Sequence, residues 1–410
     1  MRDGGDVKKA FKWIGIVLGA LFALVGGYLG YVAVSGIPHY PVRTIDLHVE
    51  ATPARVARGK KLVLNLCADC HKNPETRQLT GKTMADAPPE FGFLHSKNIT
   101  NHLTKGIGGR TDGELAFLLR TGIRWDGQYI PPYMARLPNM GDEDIASIIA
   151  FLRSGDDLVR ASDADAELTR PSFLVKFLSH VAFFPTPYPS APIAIPAVTD
   201  KVAYGKYVVE ALECYACHSK DFKTMNELEP EKSEGYLGGG NMLRQMNGTP
   251  IYSSNLTSDD ETGIGNWSVD EFKRTLRDGF RKDGSLVRYP MTRMAELTDE
   301  ETDAIYAYLR SVPKLHNPKI QTPADPPSAD TSRGAQIYHR YGCYTCHGET
   351  GIAYGDLRPA KLKYPTNEAL IAFLKDPSAA VPGTRMPRWD GVIKEEEYAP
   401  LCDYVRKLAQ

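Results

Sequence analysis

The pentapeptide Cys-x-x-Cys-His occurs three times in this chain, as Cys67-Ala68-Asp69-Cys70-His71, Cys214-Tyr215-Ala216-Cys217-His218 and Cys343-Tyr344-Thr345-Cys346-His347. With 7 Cys and 10 His in 410 residues, composition alone predicts roughly 0.003 such pentapeptides. The spacing holds two thiols along one edge of a haem, where they add across its vinyl groups, while the adjoining imidazole points at the iron. Two other chemistries use paired cysteines. A zinc knuckle needs a second Cys or His pair at ligand spacing, and no unit supplies one. A thioredoxin-like redox pair sits in a βαβ pattern and has no use for the histidine. The motifs therefore predict three covalently bound haem c groups, the irons ligated by His71, His218 and His347. They use six cysteines. The seventh, Cys402, lies in an apolar-periodic terminal segment and is expected in a core.

Haem attachment to thiols places the motifs outside the cytoplasmic membrane, and the N-terminus fits that placement. Trp13 to Val34 is 22 residues without a charge. As a helix it would run about 33 Å, enough to cross a bilayer core. Lys8, Lys9 and Lys12 precede it and predict a cytoplasmic N-terminus, with the rest on the periplasmic side of the inner membrane. A cleaved signal peptide is the other reading, since Ala33-Val34-Ser35 has the form of a cleavage site. The formal charge of −1 gives no electrostatic footprint for nucleic acid.

Composition shifts divide the rest. Residues 36–51 read as an extended tether and 52–155 as a first haem domain. Residues 156–199 form a connector in which Phe173 to Leu178 is apolar and Pro185, Pro187, Pro189, Pro192 and Pro196 forbid a long helix. Residues 200–312 are a second domain, 313–329 a Pro-rich linker and 330–410 a third. The first two domains repeat at a constant offset of 157. Asn98-Ile99-Thr100 answers Asn255-Leu256-Thr257, and Thr111-x-x-Glu114 answers Ser268-x-x-Glu271, each a capping box. Arg120, Gly122, Arg124 and Asp126 answer Arg277, Gly279, Arg281 and Asp283. The motifs themselves are only 147 apart, so the second domain carries ten extra residues before Asn255. Each unit also pairs a glycine before its motif (Gly59, Gly205, Gly334) with an aromatic in a closing helix (Phe151, Tyr308, Tyr404). That pairing predicts two helices crossing at short range. The expected fold is mainly α: three tandem cytochrome c-type haem domains after one N-terminal transmembrane helix.

The closing aromatic also serves as a ruler for a sixth iron ligand. Met134, Met291 and Met386 lie 17, 17 and 18 residues before it, and a thioether there completes a low-spin, electron-carrying iron. Met140 and Met294 are neighbouring alternatives, each facing a leucine in the other repeat. Six-coordinate irons leave no vacancy for substrate, so the expected function is electron transfer without a catalytic residue of its own.

The Asn255-Leu256-Thr257 block, Thr262-Gly263-Ile264-Gly265-Asn266-Trp267 and Leu297-Thr298-Asp299-Glu300 resemble the multi-haem cytochrome subunits of membrane-bound alcohol and gluconate dehydrogenases. The resemblance covers about residues 52–410. It implies cytochrome c-type folds and places Asn98, Thr100, Asn255 and Thr257 along haem crevices. It differs in the N-terminal span, since those subunits generally attach at the other end, and in Gly109-Arg110 where the second repeat has Asn266-Trp267. Two partner classes follow. One is a membrane-embedded electron-transfer complex, with a soluble cytochrome c or terminal oxidase as acceptor. The other is a dehydrogenase whose electrons the chain relays to quinone.

Overall fold

The computed structural model describes residues 4–84, 87–245, 248–291, 293–318, 329–352, 355–381 and 384–409. The middle of the Pro-rich linker, with Pro323, Pro326 and Pro327, lies outside the described residues. The chain is mainly helical, with two small antiparallel ladders, Gly92–Phe93 against Arg170–Pro171 and Met242–Arg244 against Pro250–Tyr252.

Each of three successive units is framed by an opening and a closing helix. The opening helices are Pro53–Leu66, Lys201–Ala211 and Arg333–Arg340. The closing helices are Asp142–Leu152, Asp299–Ser311 and Glu395–Leu408. Local sequence explains where they start. Thr52, Asp200 and Ser332 accept backbone N–H bonds as N-caps of the opening helices. Every closing helix begins with three consecutive acids, which complement the positive end of its dipole. The middle helices Asp112–Thr121 and Val269–Lys273 carry the expected capping boxes, and Thr298 forms a third with Glu301.

The glycine–aromatic pairing is the contact that sets each frame. A Cβ on Gly59 would meet the carbonyl oxygen of Ser147 and lie 2.8 Å from Phe151 Cβ. At Gly205 the neighbours are the Ala304 carbonyl and Tyr308 Cβ at 2.9 Å, and at Gly334 the Pro400 carbonyl and Tyr404 Cβ at 2.5 Å. In all three places backbone touches backbone, so only hydrogen fits.

The units do not lie along a line. One hydrophobic core runs through the first two, joining Leu62, Val63, Ile148 and Phe151 to Val208, Val209, Ile305 and Leu309. Polar contacts fix their register. The Tyr207 hydroxyl accepts from the Gly141 amide at 3.1 Å and donates to Asp144, which also pairs with Arg58. Lys61 of the first opening helix pairs with Glu301 of the second closing helix. Gly239 follows His218 by 21 residues where Gly81 follows His71 by 10, so the extra length of the second unit falls here, and this insertion docks on the first unit. Buried Arg136 forms a two-pronged pair with Glu227, and Asn139 donates to the Glu227 carbonyl at 2.9 Å.

The third unit has its own core around Ile337, Tyr338, Tyr398 and Leu401, with Cys402 fully buried. It touches both predecessors. Phe280 of the second unit sits edge-on to Trp389, with ring centroids 5.5 Å apart. Arg385 donates to the Leu64 carbonyl at 2.6 Å and to Asp69 at 3.2 Å in the first unit, and to the Arg293 carbonyl at 2.7 Å in the second. The tether is not loose either. The Val49 amide donates to Asp112, and Gly113 lets the Ile45 carbonyl approach its helix.

The N-terminal helix, Gly4–Ser35, contains a 25-residue apolar stretch, Phe11–Ser35, long enough to cross a membrane. Most of it is exposed. Its last turns pack on the connector helix Phe173–Val181, with Tyr28 edge-on to Phe177 and Tyr31 to His180.

The frame contact predicts that Gly205→Ala destabilises the protein by about 1–3 kcal/mol through overpacking. Gly155→Ala, where a Cβ meets nothing within 4 Å, should leave the thermal midpoint unchanged. Thermal unfolding of the two variants checks the difference.

Candidate haem sites

Each motif forms a short helix, Ala68–His71, Cys214–His218 or Tyr344–His347, placed directly after its opening helix. The thiols sit in low-dielectric surroundings. Burial first, and the partner cysteine second, push Cys67, Cys214 and Cys343 up to about 12. Among the described residues no three His, Cys, Asp or Glu side chains converge as a metal site.

All three imidazoles are held alike. His71 Nδ1 bonds the Lys97 carbonyl at 2.7 Å, His218 Nδ1 the Ser254 carbonyl at 2.8 Å and His347 Nδ1 the Gly355 carbonyl at 2.5 Å. A carbonyl only accepts, so Nδ1 carries the proton and Nε2 keeps its lone pair, as ligation of a metal requires. Burial lowers the pKa of each ring, which favours that neutral form.

The repeated Asn-x-Thr block explains how the carbonyls are aimed. Lys97 and Ser254 are related by the same offset of 157 and each immediately precedes the asparagine. Asn98 Oδ1 accepts from the Thr100 amide at 2.9 Å and hydroxyl at 2.7 Å, while its amide donates to Ser162 and Ala164 carbonyls. Asn255 repeats this with Thr257 at 2.8 Å for both bonds, and donates to Thr262 Oγ1 and the Leu315 carbonyl. All four side chains are buried. Their polar hydrogens are spent on protein, so they brace the loop that orients the histidine.

Sequence reasoning did not single out the glycines that close this loop. Gly81 (φ +88) and Gly239 (φ +71) adopt the left-handed region, where a Cβ would strike residue 96 or 254. Their amides donate to the His71 and His218 carbonyls at 2.8 and 2.7 Å. In the third unit a Cβ on Gly355 would lie 2.6 Å from the His347 ring. The signal available was the placement of each glycine shortly after a motif.

The sites fit a haem. Besides iron, the group brings two carboxylate-bearing propionates, and the surroundings hold surplus donors. The buried Nε atoms of Arg110 and Arg124 have no hydrogen-bond partner among the described residues, and neither does Trp389 Nε1. Arg281, the repeat mate of Arg124, is lowered by burial and next by Arg288, against Asp283. Arg281 lies close enough to act on the His218 ring. The repeat pair was visible in the sequence, and Trp389 was not distinguished there.

Among the methionines, Met134, Met291 and Met386 are partly buried in loops. Met140 is 1 % exposed inside the shared core. Met294 is partly buried against that core, and its amide donates to the Leu276 carbonyl at 2.7 Å.

With folds and sites of this kind, the chain is a multi-domain c-type cytochrome. The cytochrome c family model matches residues 56–156 and 202–313, and that of the cbb3-type cytochrome c oxidase subunit III matches 329–405. The chain belongs to the cytochrome c family; it binds haem c covalently and serves electron transfer. It is 26% identical over 390 residues to the cytochrome c subunit of a quinone alcohol dehydrogenase from Gluconobacter oxydans, covering 87% of this chain and 79% of that one. It is 30% identical over 278 residues to the fructose dehydrogenase cytochrome subunit of Gluconobacter japonicus, covering 64% and 55%. It is 25% identical over 291 residues to a dihaem c-type cytochrome of Cereibacter sphaeroides, covering 67% and 92%.

Because Asn255 leaves buried partners behind, Asn255→Ala should cost about 1–3 kcal/mol. It should also loosen the hold on the His218 ring, read as a lower unfolding midpoint of the haem band and a shifted potential.

Proposed function

We propose that this chain is the membrane-anchored, three-haem electron relay of a membrane-bound dehydrogenase. Its domains are assigned as 52–155, 200–312 and 330–410. The observation that carries this reading is similarity over 87% of the chain to a cytochrome subunit of a quinone alcohol dehydrogenase. A catalytic subunit would then hold the substrate, and this chain would pass its electrons towards quinone. The N-terminal apolar helix, sufficient to hold the chain on a membrane without a partner, favours a second reading, a shuttle between respiratory or photosynthetic complexes and periplasmic acceptors.

In either case each unit takes one haem. Cys67 and Cys70, Cys214 and Cys217, and Cys343 and Cys346 form the thioethers, and His71, His218 and His347 offer Nε2 to the iron. Bound there, the haem supplies a one-electron couple. The chain supplies the rest: the carbonyl at Nδ1 fixes each ring, and Met134, Met291 and Met386 would each supply a thioether sulfur to an iron. Met140, sealed in the core, is excluded from that task. Arg124 and Arg281 would pair with propionate charge that is otherwise costly to bury, and Trp389 would add an uncharged N–H donor. The Met386 loop is set by Arg385, whose neighbouring contacts reach the first motif through Asp69.

The helix Gly4–Ser35 is assigned as a retained anchor. Val32 is fully buried between Tyr28 and Ser35, where the helix meets the connector. His180 bonds the Gly36 carbonyl at 3.0 Å. A leader removed after export has no need of a fitted seat on the mature domain.

Haem quantitation after acid–acetone extraction should give three per polypeptide, and two would remove one motif from the assignment. Met134→Ala, Met291→Ala and Met386→Ala should each open one haem to carbon monoxide, whereas Met140→Ala should not. Carbon monoxide binding by the reduced unmutated protein would contradict six-coordination. Purification in mild detergent should bring down a catalytic dehydrogenase subunit; a chain that migrates alone and reduces an oxidase directly would support the shuttle.

A further inference from the structure

The connector helix Phe173–Val181 packs on the first unit and on the N-terminal helix, and leaves part of its apolar side bare. Val175 and Ser179, one turn apart, are buried, and the N-cap Ser172 donates to the Glu90 carbonyl of the first unit at 2.5 Å. Another side meets the end of the N-terminal helix through Phe177 and His180. On the side that carries Phe177, which stacks on Phe173, Phe173, Leu174 and Val181 each stay close to half exposed, and Phe184 beyond the helix end is 54% exposed. The helix contains no acid; its ionisable side chains are Lys176 and His180.

We infer that this face is a second membrane contact: the connector helix lies in the outer headgroup region, its apolar side sunk into the bilayer beside the emerging anchor. The inference rests on the retained-anchor reading. Three observations commit it to lipid. First, the bare face is continuous with the exposed apolar surface of the spanning helix, because Tyr28 and Tyr31 join the two. Second, the junction falls at the last turns of the span, next to Ser35 and Gly36, which is the depth of the membrane–water boundary. Tyr28 and Tyr31 then sit where amphipathic aromatic rings are favoured. Third, nine residues make a helix of only about 13 Å, too short to span but suited to lying in the plane. Lys176 can extend its ammonium to headgroups while its stem stays apolar.

The consequence is orientational. A single span lets the haem domains swivel, whereas two membrane contacts fix which side of the first unit faces the bilayer. The helix begins immediately after the ladder Gly92–Phe93 with Arg170–Pro171, so the face fixed is the one that also carries the loop over His71.

Lipid photolabelling tests this on the full-length haem-loaded chain. The protein is placed in nanodiscs of phosphatidylcholine and phosphatidylglycerol containing a phosphatidylcholine with an acyl-chain diazirine, then irradiated, digested and analysed by mass spectrometry. Adducts are expected on the N-terminal helix and on the peptide spanning Phe173 to Phe184. Yield on the latter should exceed that on the Leu362 peptide, apolar and 87% exposed in the third unit, by about tenfold or more. Leu174→Ser with Val181→Ser should abolish the connector adducts and spare those on the span. Adducts on the span alone would overturn the inference and leave the anchor intact. Absence from both would remove the anchor as well. Connector adducts that form in nanodiscs but vanish in native membranes would overturn lipid as the occupant in favour of a protein partner.

Discussion

Everything in this molecule hangs from a contact in which a glycine lets two helices meet backbone to backbone. At Gly59, Gly205 and Gly334 the opening helix lies against a carbonyl of the closing helix, with the aromatic Cβ alongside. The motif helix follows directly on the opening helix. The angle and depth of the crossing therefore fix where two cysteines and a histidine enter the interior. A larger residue would lift the opening helix away and move the whole ligand set with it.

Above that frame the histidine is aimed by loops. Backbone carbonyls at Lys97 and Ser254 hold Nδ1, the asparagine after each carbonyl clamps its own loop, and the clamp is tied to the strand that leaves the closing helix. Frame and clamp are thus one connected system, because the segment braced by Asn98 or Asn255 is the continuation of the helix crossed by the glycine. The buried amide network is fully satisfied on protein, which is the condition under which such networks rigidify a site.

Tandem order in sequence becomes a mutual packing in space. The insertion of the second unit meets the first through Arg136 and Glu227, and Arg385 of the third touches the other two at once. An electron carrier gains from this closeness, since units in direct contact cannot drift apart independently. The same packing leaves the exposed apolar surface concentrated at the N-terminal helix and the connector beside it.

Much of this was legible in the residues. The three pentapeptides define the haem chemistry, the 157-residue offset reveals the repeat, and the capping boxes and acid triplets mark helix starts, because each of these signals acts over a few residues or recurs in register. The glycine–aromatic pairing was readable for the same reason: it appears three times. What the sequence could not say is what the insertion before Asn255 is for, what Asn98 and Asn255 hold, or that Trp389 Nε1 and Arg124 Nε are buried donors without a partner among the described residues. Those are matters of distance between segments far apart in the chain. Local pattern determined the class, the cofactor chemistry and the helices. Only tertiary packing decided which carbonyl fixes each imidazole and how the three units touch, because those contacts depend on side chains that meet in space and share no sequence period.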